Sequence, residues 1–410
     1  MPAPSDALAG ISVLDLTRNF AGPYCSMLLA DLGAAVIKVE SPGAGDDTRQ
    51  WRPPEWNGLS ATFLAGNRGK RSIAVDLDSE AGQDVVRRLA AKADVVISSF
   101  RPGSLAKRGL DHESLRRDSP GLVYCSISAY GSQGPKRDWP GYDPILQAES
   151  GMMSLTGYPE GPPARLPIAA IDLGTAMWAS VGIQAALRSR DHTGEGGLVE
   201  VSLYETAAWW LSYLIAGYLG SGEEPQRHGS GAPFLAPYEV FATSDGDLMV
   251  TAANDDLFAR LCDALGFTEL STDPSYRRNA DRVANREALH DLLQARFLER
   301  SAAEWRELLG ARSVPCTPVR SVADFVEDEQ MASLGLLVPL PHPDVPDLRL
   351  VGSPLNLDGV RPVATRRPPG LGEHTEEVLG ELGYLAEEIE ALTQQHVVQS
   401  EGGRPADSAS

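Results

Sequence analysis

Short apolar runs separated by glycine- and proline-marked turns alternate with amphipathic stretches over most of the chain, which is the rhythm of an α/β protein. Val13 to Leu16 reads as a buried strand, about Pro23 to Leu32 as a helix and Ala35 to Glu40 as a second strand, a βαβ unit that opens a parallel sheet. The same pattern predicts a strand over Ile73 to Leu77, a helix over Ser79 to Ala91, and strands over Asp94 to Ser98, Leu122 to Ser128 and Leu198 to Leu203. Leu166 to Ile171 reads as one more buried strand, followed by a helix from Thr175 to Leu187, and a long apolar helix runs from Leu203 to about Gly220. The polar segment Ser221 to Pro233 marks a boundary. Beyond it come short strands (Tyr238 to Phe241, Asp247 to Ala252) and helices (about Leu257 to Gly266, Asp281 to Leu298, Ala302 to Leu309). The expected organisation is a large α/β domain over 1–225, a small α+β domain over 226–325, a C-terminal segment over 326–396 with two helices from about His374 and Ala386, and a disordered tail over 397–410.

Composition narrows the function. The 410 residues are 42% hydrophobic and 22% charged, ordinary for a soluble globular chain with a large core. With 36 basic against 56 acidic side chains the formal charge is −20, which argues against nucleic acid or an anionic membrane as partner and requires any anionic ligand to meet a local basic cluster. Four cysteines without a CxxC pair predict reduced thiols in a cytoplasmic protein and no metal site. MPAPSDALAG has neither part of a signal peptide, and the most apolar segment, Ala207 to Leu219, is too short to span a bilayer.

Chemistry gathers around Asp172. Read as the junction of strand and helix, it lies at the positive end of a helix dipole, held ionised as either an N-cap or a nucleophile. The preceding loop, marked by Gly151, Gly157, Gly161 and three prolines, is long enough to build a site. Glu40 ends the second strand, where dinucleotide folds bind a ribose hydroxyl, so a nicotinamide oxidoreductase is one reading; the turn TRNFAGP, however, lacks GxGxxG. Two basic clusters are candidate anion contacts: Arg68, Lys70 and Arg71 beside a strand, and Arg101, Lys107 and Arg108 in a loop at a strand's carboxyl end. The first reads equally as solvated surface.

VLDLTRNFAGPYCSMLLADLGAAVIKVESPGAGDDTR, NRGKRSIAVDL, the FRPG loop, AYGSQGP, GYDPILQAESGMMSLTG, AAIDLGTAMWA, TGEGGLVEVSLYE and LGEHTEEVLGELGY, in that order over about Gly10 to Gln395, resemble the class III CoA-transferase family. The resemblance implies a Rossmann-like large domain, to which the C-terminal segment returns, plus a small domain, in an interlocked homodimer. It implies transfer of CoA from an acyl-CoA thioester to a free carboxylic acid, with coenzyme A as substrate rather than tightly bound cofactor. By position, Asp172 is the nucleophile and Tyr142 and Asp143 stand beside it. Phe20, Ala21, Val75, Asp76, Ser99, Phe100, Arg101 and Lys107 are the implied CoA contacts. Racemases of the same fold carry a His where this chain has Tyr142, so that alternative lacks its second proton carrier. Formyl-CoA transferases have Gln in place of Phe20, which, with Met152, Met153, Leu155 and Tyr158, points to a more apolar acyl pocket than oxalate needs. His228 and Arg165 are candidate partners of a substrate carboxylate.

Overall fold

A computed structural model of the protein describes residues 6–400. The chain divides into two compact units. The first holds the chain up to Ser150, then Pro167–Ser212, and everything from Ala332; the second holds Gly151–Leu166 and Tyr213–Met331.

The first unit is built on one seven-stranded sheet: β1 (Ser12–Leu16), β2 (Ala35–Glu40), β3 (Lys70–Val75), β4 (Val95–Ser98), β5 (Val123–Ser128), β6 (Gly197–Ser202) and a last strand at the C-terminus. Six pair in parallel in the order β3-β2-β1-β4-β5-β6. That is the arrangement of dinucleotide-binding folds, with the order reversing between β1 and β4. The strands are near-continuous runs of Val, Ile and Leu because helices cover both faces. Val85, Val86 and Leu89 of α2 (Glu80–Ala91) meet Leu14, Ile73 and Val96 of the sheet, and Val378 and Leu379 of a C-terminal helix (Thr375–Glu381) enter the same core.

On the sheet's other side, α1 (Ala21–Asp31) packs along a 24-residue helix (Ala170–Thr193) that carries Asp172. Gly22 permits the close start of α1: a Cβ there would lie 2.2 Å from that of Thr17. In the second unit a three-stranded antiparallel sheet (Tyr238–Ala242, Asp247–Thr251, Cys316–Pro318) supports a core of Phe241, Phe258, Phe297 and Trp305.

Four expectations need correction. Leu166 to Ile171 forms no strand: Pro167 and Ile168 are exposed, Ile168 being 59% accessible, and the helix starts at Ala170 instead and buries Ile171. The apolar helix after β6 is broken at Leu211 into Leu203–Trp210 and Ser212–Ser221. The helix expected from Asp281 to Leu298 is broken at Asn285, whose amide donates to the Ser275 carbonyl. The tail is ordered at its start, because Val398 and Gln399 pair antiparallel with Val75 and Ala74 and close the edge of the sheet beside β3. Residues 401–410 of that expected tail lie outside the described residues. Among the described residues no helix is long and apolar enough to cross a membrane.

Candidate active site

The turns that leave β1, β4 and β5 converge at the point where the strand order reverses. There Arg18 and Asn19, Ser99 to Arg101, and Ala129 with Arg137 and Trp139 to Tyr142 line a cleft of about 400 Å³. A smaller cavity of about 110 Å³ shares Arg18, Asn19, Ser99, Gly141 and Tyr142 with it and adds Phe20, Ala21, Trp51, Leu203 and Asp172. Asp172 and the basic cleft are therefore neighbours on the edge where open α/β sheets bind ligands.

A buried polar lattice fixes the first turn. Asp15 accepts from the Thr17 N–H and hydroxyl, from Ser26 and from Lys70; Lys70 also donates to the Pro23 carbonyl and the Asn67 side chain. Lys38 donates to the Thr17 carbonyl, and its ammonium sits 2.8 Å from Asp46, which in turn accepts the Asn19 N–H at 3.2 Å. Burial alone would raise the Asp15 carboxyl, but Lys70 and Lys38 hold it down at about 2. Burial lowers Lys70 to about 8 despite Asp15. Above this lattice Asn19 adopts a left-handed φ of 69°, and Phe20 stacks on Tyr24 with ring centroids 5.9 Å apart.

Asp172 is the third residue of its helix, yet it caps nothing. The N–H groups of Ile171 and Asp172 donate instead to the Oδ2 of Asp143, at 2.8 and 3.2 Å. Asp143 is buried, and its Oδ1 accepts from the Gln147 amide one turn along its own helix (Asp143–Glu149). The dipole expectation is thereby overturned: the donors meant to hold Asp172 ionised serve another carboxylate. Burial pushes the Asp172 carboxyl up to about 7, and the charge of Asp143 adds to the rise. Among the described residues its oxygens meet no protein donor, so the carboxylate facing the cavity is poorly stabilised as an anion and correspondingly nucleophilic.

Of the other expected residues, Phe20, Ala21, Ser99, Phe100, Arg101 and Tyr142 all line these cavities, and Tyr142 is 53% exposed there. Val75, Asp76 and Lys107 do not. Val75 is buried in the sheet core, the Asp76 N–H pairs with the Val397 carbonyl, and Lys107 lies exposed beyond the lining. Arg108 is held by Asp78 and the carbonyls of Leu77 and Ser104. The basic triplet is structural: Arg68 pairs with Asp31, Lys70 with Asp15, and Arg71 with Glu377 and Glu381. Glu40, the ribose candidate, accepts from Arg49, Ser72 and the Asp46 N–H. His374 is no side-chain cap; its Nδ1 accepts the Ser72 N–H. Arg18, Asn19 and Arg137 were not singled out by sequence reading. They stand alone in the chain and become a cluster only when three strand ends meet.

Residues 8–375 match CoA-transferase family III. The chain is 39% identical over 393 residues to the mouse succinyl-CoA:glutarate CoA-transferase, covering 96% of this chain and 90% of that one. It is 40% identical to the succinate–glutarate CoA-transferase of Agrobacterium fabrum (93% and 97%) and 37% identical to the acetyl-CoA:oxalate CoA-transferase of Acetobacter aceti (82% and 86%). A crystal structure of a CAIB/BAIF family protein from Brucella suis superposes with a TM-score of 0.82 at 39% identity, over 92% of this chain and 99% of that one. With a parallel sheet, an acid at the switch-point cavity and full-length relatives of one kind, the chain belongs to the family III CoA-transferases.

Proposed function

We propose that the protein transfers CoA between a dicarboxylic acyl-CoA, succinyl-CoA first, and a free dicarboxylic acid of about glutarate's length, with Asp172 as the covalent nucleophile. The observation that carries the reading is the Asp172 carboxylate, bare of protein donors, facing a cavity continuous with an arginine-lined cleft. Ionised Asp172 attacks the thioester carbonyl, the C–S bond breaks, and CoA leaves as thiolate from a mixed anhydride. The thiolate then attacks the aspartyl carbonyl; the donor acid departs as carboxylate and an aspartyl-CoA thioester remains. The acceptor carboxylate attacks that thioester, releasing thiolate and forming a second anhydride, and thiolate attack on the acceptor's acyl carbon regenerates Asp172. No proton is consumed, so the site needs none of the acid–base pairs a racemase requires.

Arg101 and Arg137 bind the CoA phosphates at the cleft, while Phe100 and Trp139 flank them; Lys107, Val75 and Asp76 lie outside that lining. Tyr142 stands over the reacting centre, and Asp143 positions Asp172 from below. The active molecule is a homodimer. In support, Trp178, Val181 and Trp209 lie exposed around an apolar groove next to the edge strand β6. Initial rates with succinyl-CoA and glutarate varied together should give parallel double-reciprocal lines, and Asp172→Ala should abolish transfer. Intersecting lines, or substantial transfer by the Asp172→Ala protein, would refute the covalent route. A panel of acids from oxalate to adipate then fixes the acceptor length.

A further inference from the structure

Among the described residues Arg18 is the one cation lining the cavity that holds Asp172, and it lines the wider cleft as well. Its backbone is tightly placed. The Arg18 N–H donates to the Ser99 hydroxyl at 3.1 Å, and the next N–H, that of Asn19, donates to buried Asp46. The guanidinium, by contrast, is loosely engaged: among the described residues its only ion pair is with Asp47 at 3.7 Å, both side chains about half exposed (52% and 43%). Such pairs contribute about 0–1 kcal/mol and exchange readily for a better partner. Beside it the Asn19 Oδ1 is buried with no protein partner, and Asn19 lines both cavities. An amide oxygen accepts and a carboxylate offers it no donor, so the contact to a substrate carboxylate falls to Arg18.

We propose that Arg18 binds the carboxylate of the substrate remote from the reacting carbonyl, and so selects dicarboxylic over monocarboxylic acids. This rests on the reading of Asp172 as nucleophile. Phe20, Trp51, Ile127 and Leu203 give this cavity apolar wall and Ser99, Ser128 and Tyr142 give it neutral hydroxyls, so among the described residues a second carboxylate has Arg18 as its cationic partner there. A guanidinium fork matches a carboxylate with two parallel donors, which an apolar or ammonium side chain does not reproduce. The substrate carboxylate takes the place of Asp47 on Arg18.

The test compares glutarate with valerate, its counterpart of equal length lacking the second carboxylate, as acceptors from succinyl-CoA. Arg18→Gln should lower kcat/KM for glutarate about 30- to 100-fold while changing that for valerate less than about 3-fold. Arg18→Lys should lie between. Asp47→Asn, which frees Arg18 without touching it, should lower KM for glutarate about 2- to 3-fold and leave valerate unchanged. Equal losses for both acids, as expected if Arg18 served CoA phosphates or merely the fold, would overturn the proposal, as would an unchanged glutarate preference in all three variants. Hydroxylamine trapping of the acylated enzyme separates the two claims: trapping at Asp172 with unaltered discrimination sinks Arg18 alone, and no trapping at Asp172 in the wild type sinks the covalent reading.

Discussion

At the scale of single residues, function turns on two carboxylates that share a helix start but differ in their surroundings. Asp143 is buried and receives three donors, whereas among the described residues Asp172 receives none and its carboxyl is pushed up to about 7. In the proposed route the nucleophile is ionised Asp172, so kcat/KM should climb with pH through about 7 and level off above it. Asp143→Asn removes the neighbouring charge, and the rising limb should move to lower pH while kcat drops because Asp172 is less well positioned; a purely structural defect would lower the whole curve without moving it. Stability gives the opposite sign. An acid whose folded pKa is raised favours the fold while protonated, so its contribution is complete below about 4 and is lost as pH rises through about 7. Asp172→Asn should therefore melt higher than the wild type at pH 8 and converge with it near pH 4, a comparison that calorimetry makes directly. Arg101→Ala and Arg137→Ala should each raise KM for succinyl-CoA about 10- to 100-fold with little change in kcat, the loss of one charge-assisted hydrogen bond of about 1.5–3 kcal/mol. Asp172 was legible in the sequence as a candidate, but its ionisation was misjudged: a dipole argument sees only the local helix, and Asp143 lies 29 residues away.

At the scale of elements, the β1–α1 turn is held from beneath by ions with no access to solvent. Asp15, Lys38, Asp46 and Lys70 are all fully buried, and each is paired. Removing one partner strands its opposite charge, so Asp15→Ala or Lys70→Met should cost about 3–5 kcal/mol in urea unfolding, far more than loss of the surface pair Arg18 and Asp47. A loss under about 1 kcal/mol would mean that water reaches the lattice. The strands over this region were legible, since β2 spans the predicted Ala35–Glu40 and β1 adds only Ser12. Parallel strands buried on both faces declare themselves by apolar runs of five or six residues. Leu166 to Ile171 has the same run, but Pro167 within it cannot donate to a ladder and the helix takes up Ala170 and Ile171. The lysines of the lattice were likewise unreadable: Lys70 looks like surface charge until Asp15, 55 residues earlier, meets it.

At the scale of the whole molecule, a chain with a net charge of −20 gathers three arginines, Arg18, Arg101 and Arg137, where the loops after β1, β4 and β5 meet. Apolar periodicity showed that a parallel sheet exists, but not its strand order, which decides which loops become neighbours. The C-terminal strand escaped notice because Val398 and Gln399 alone make too short a signal, and the ladder to Val75 and Ala74 supplies what the local pattern lacks. Val398, buried against the sheet core, should therefore not tolerate charge: Val398→Asp should lower the melting temperature, whereas Gln394→Ala at the exposed end of the last helix should not. The central claim is that Asp172 carries the acyl group and then CoA. Enzyme mixed with succinyl-CoA in the absence of an acceptor acid, quenched in acid and digested, should show one modified peptide, its mass raised by CoA less water at Asp172, and hydroxylamine should convert that adduct to the hydroxamate. Full turnover with an unmodified Asp172 peptide, or the adduct on any other residue, would contradict it.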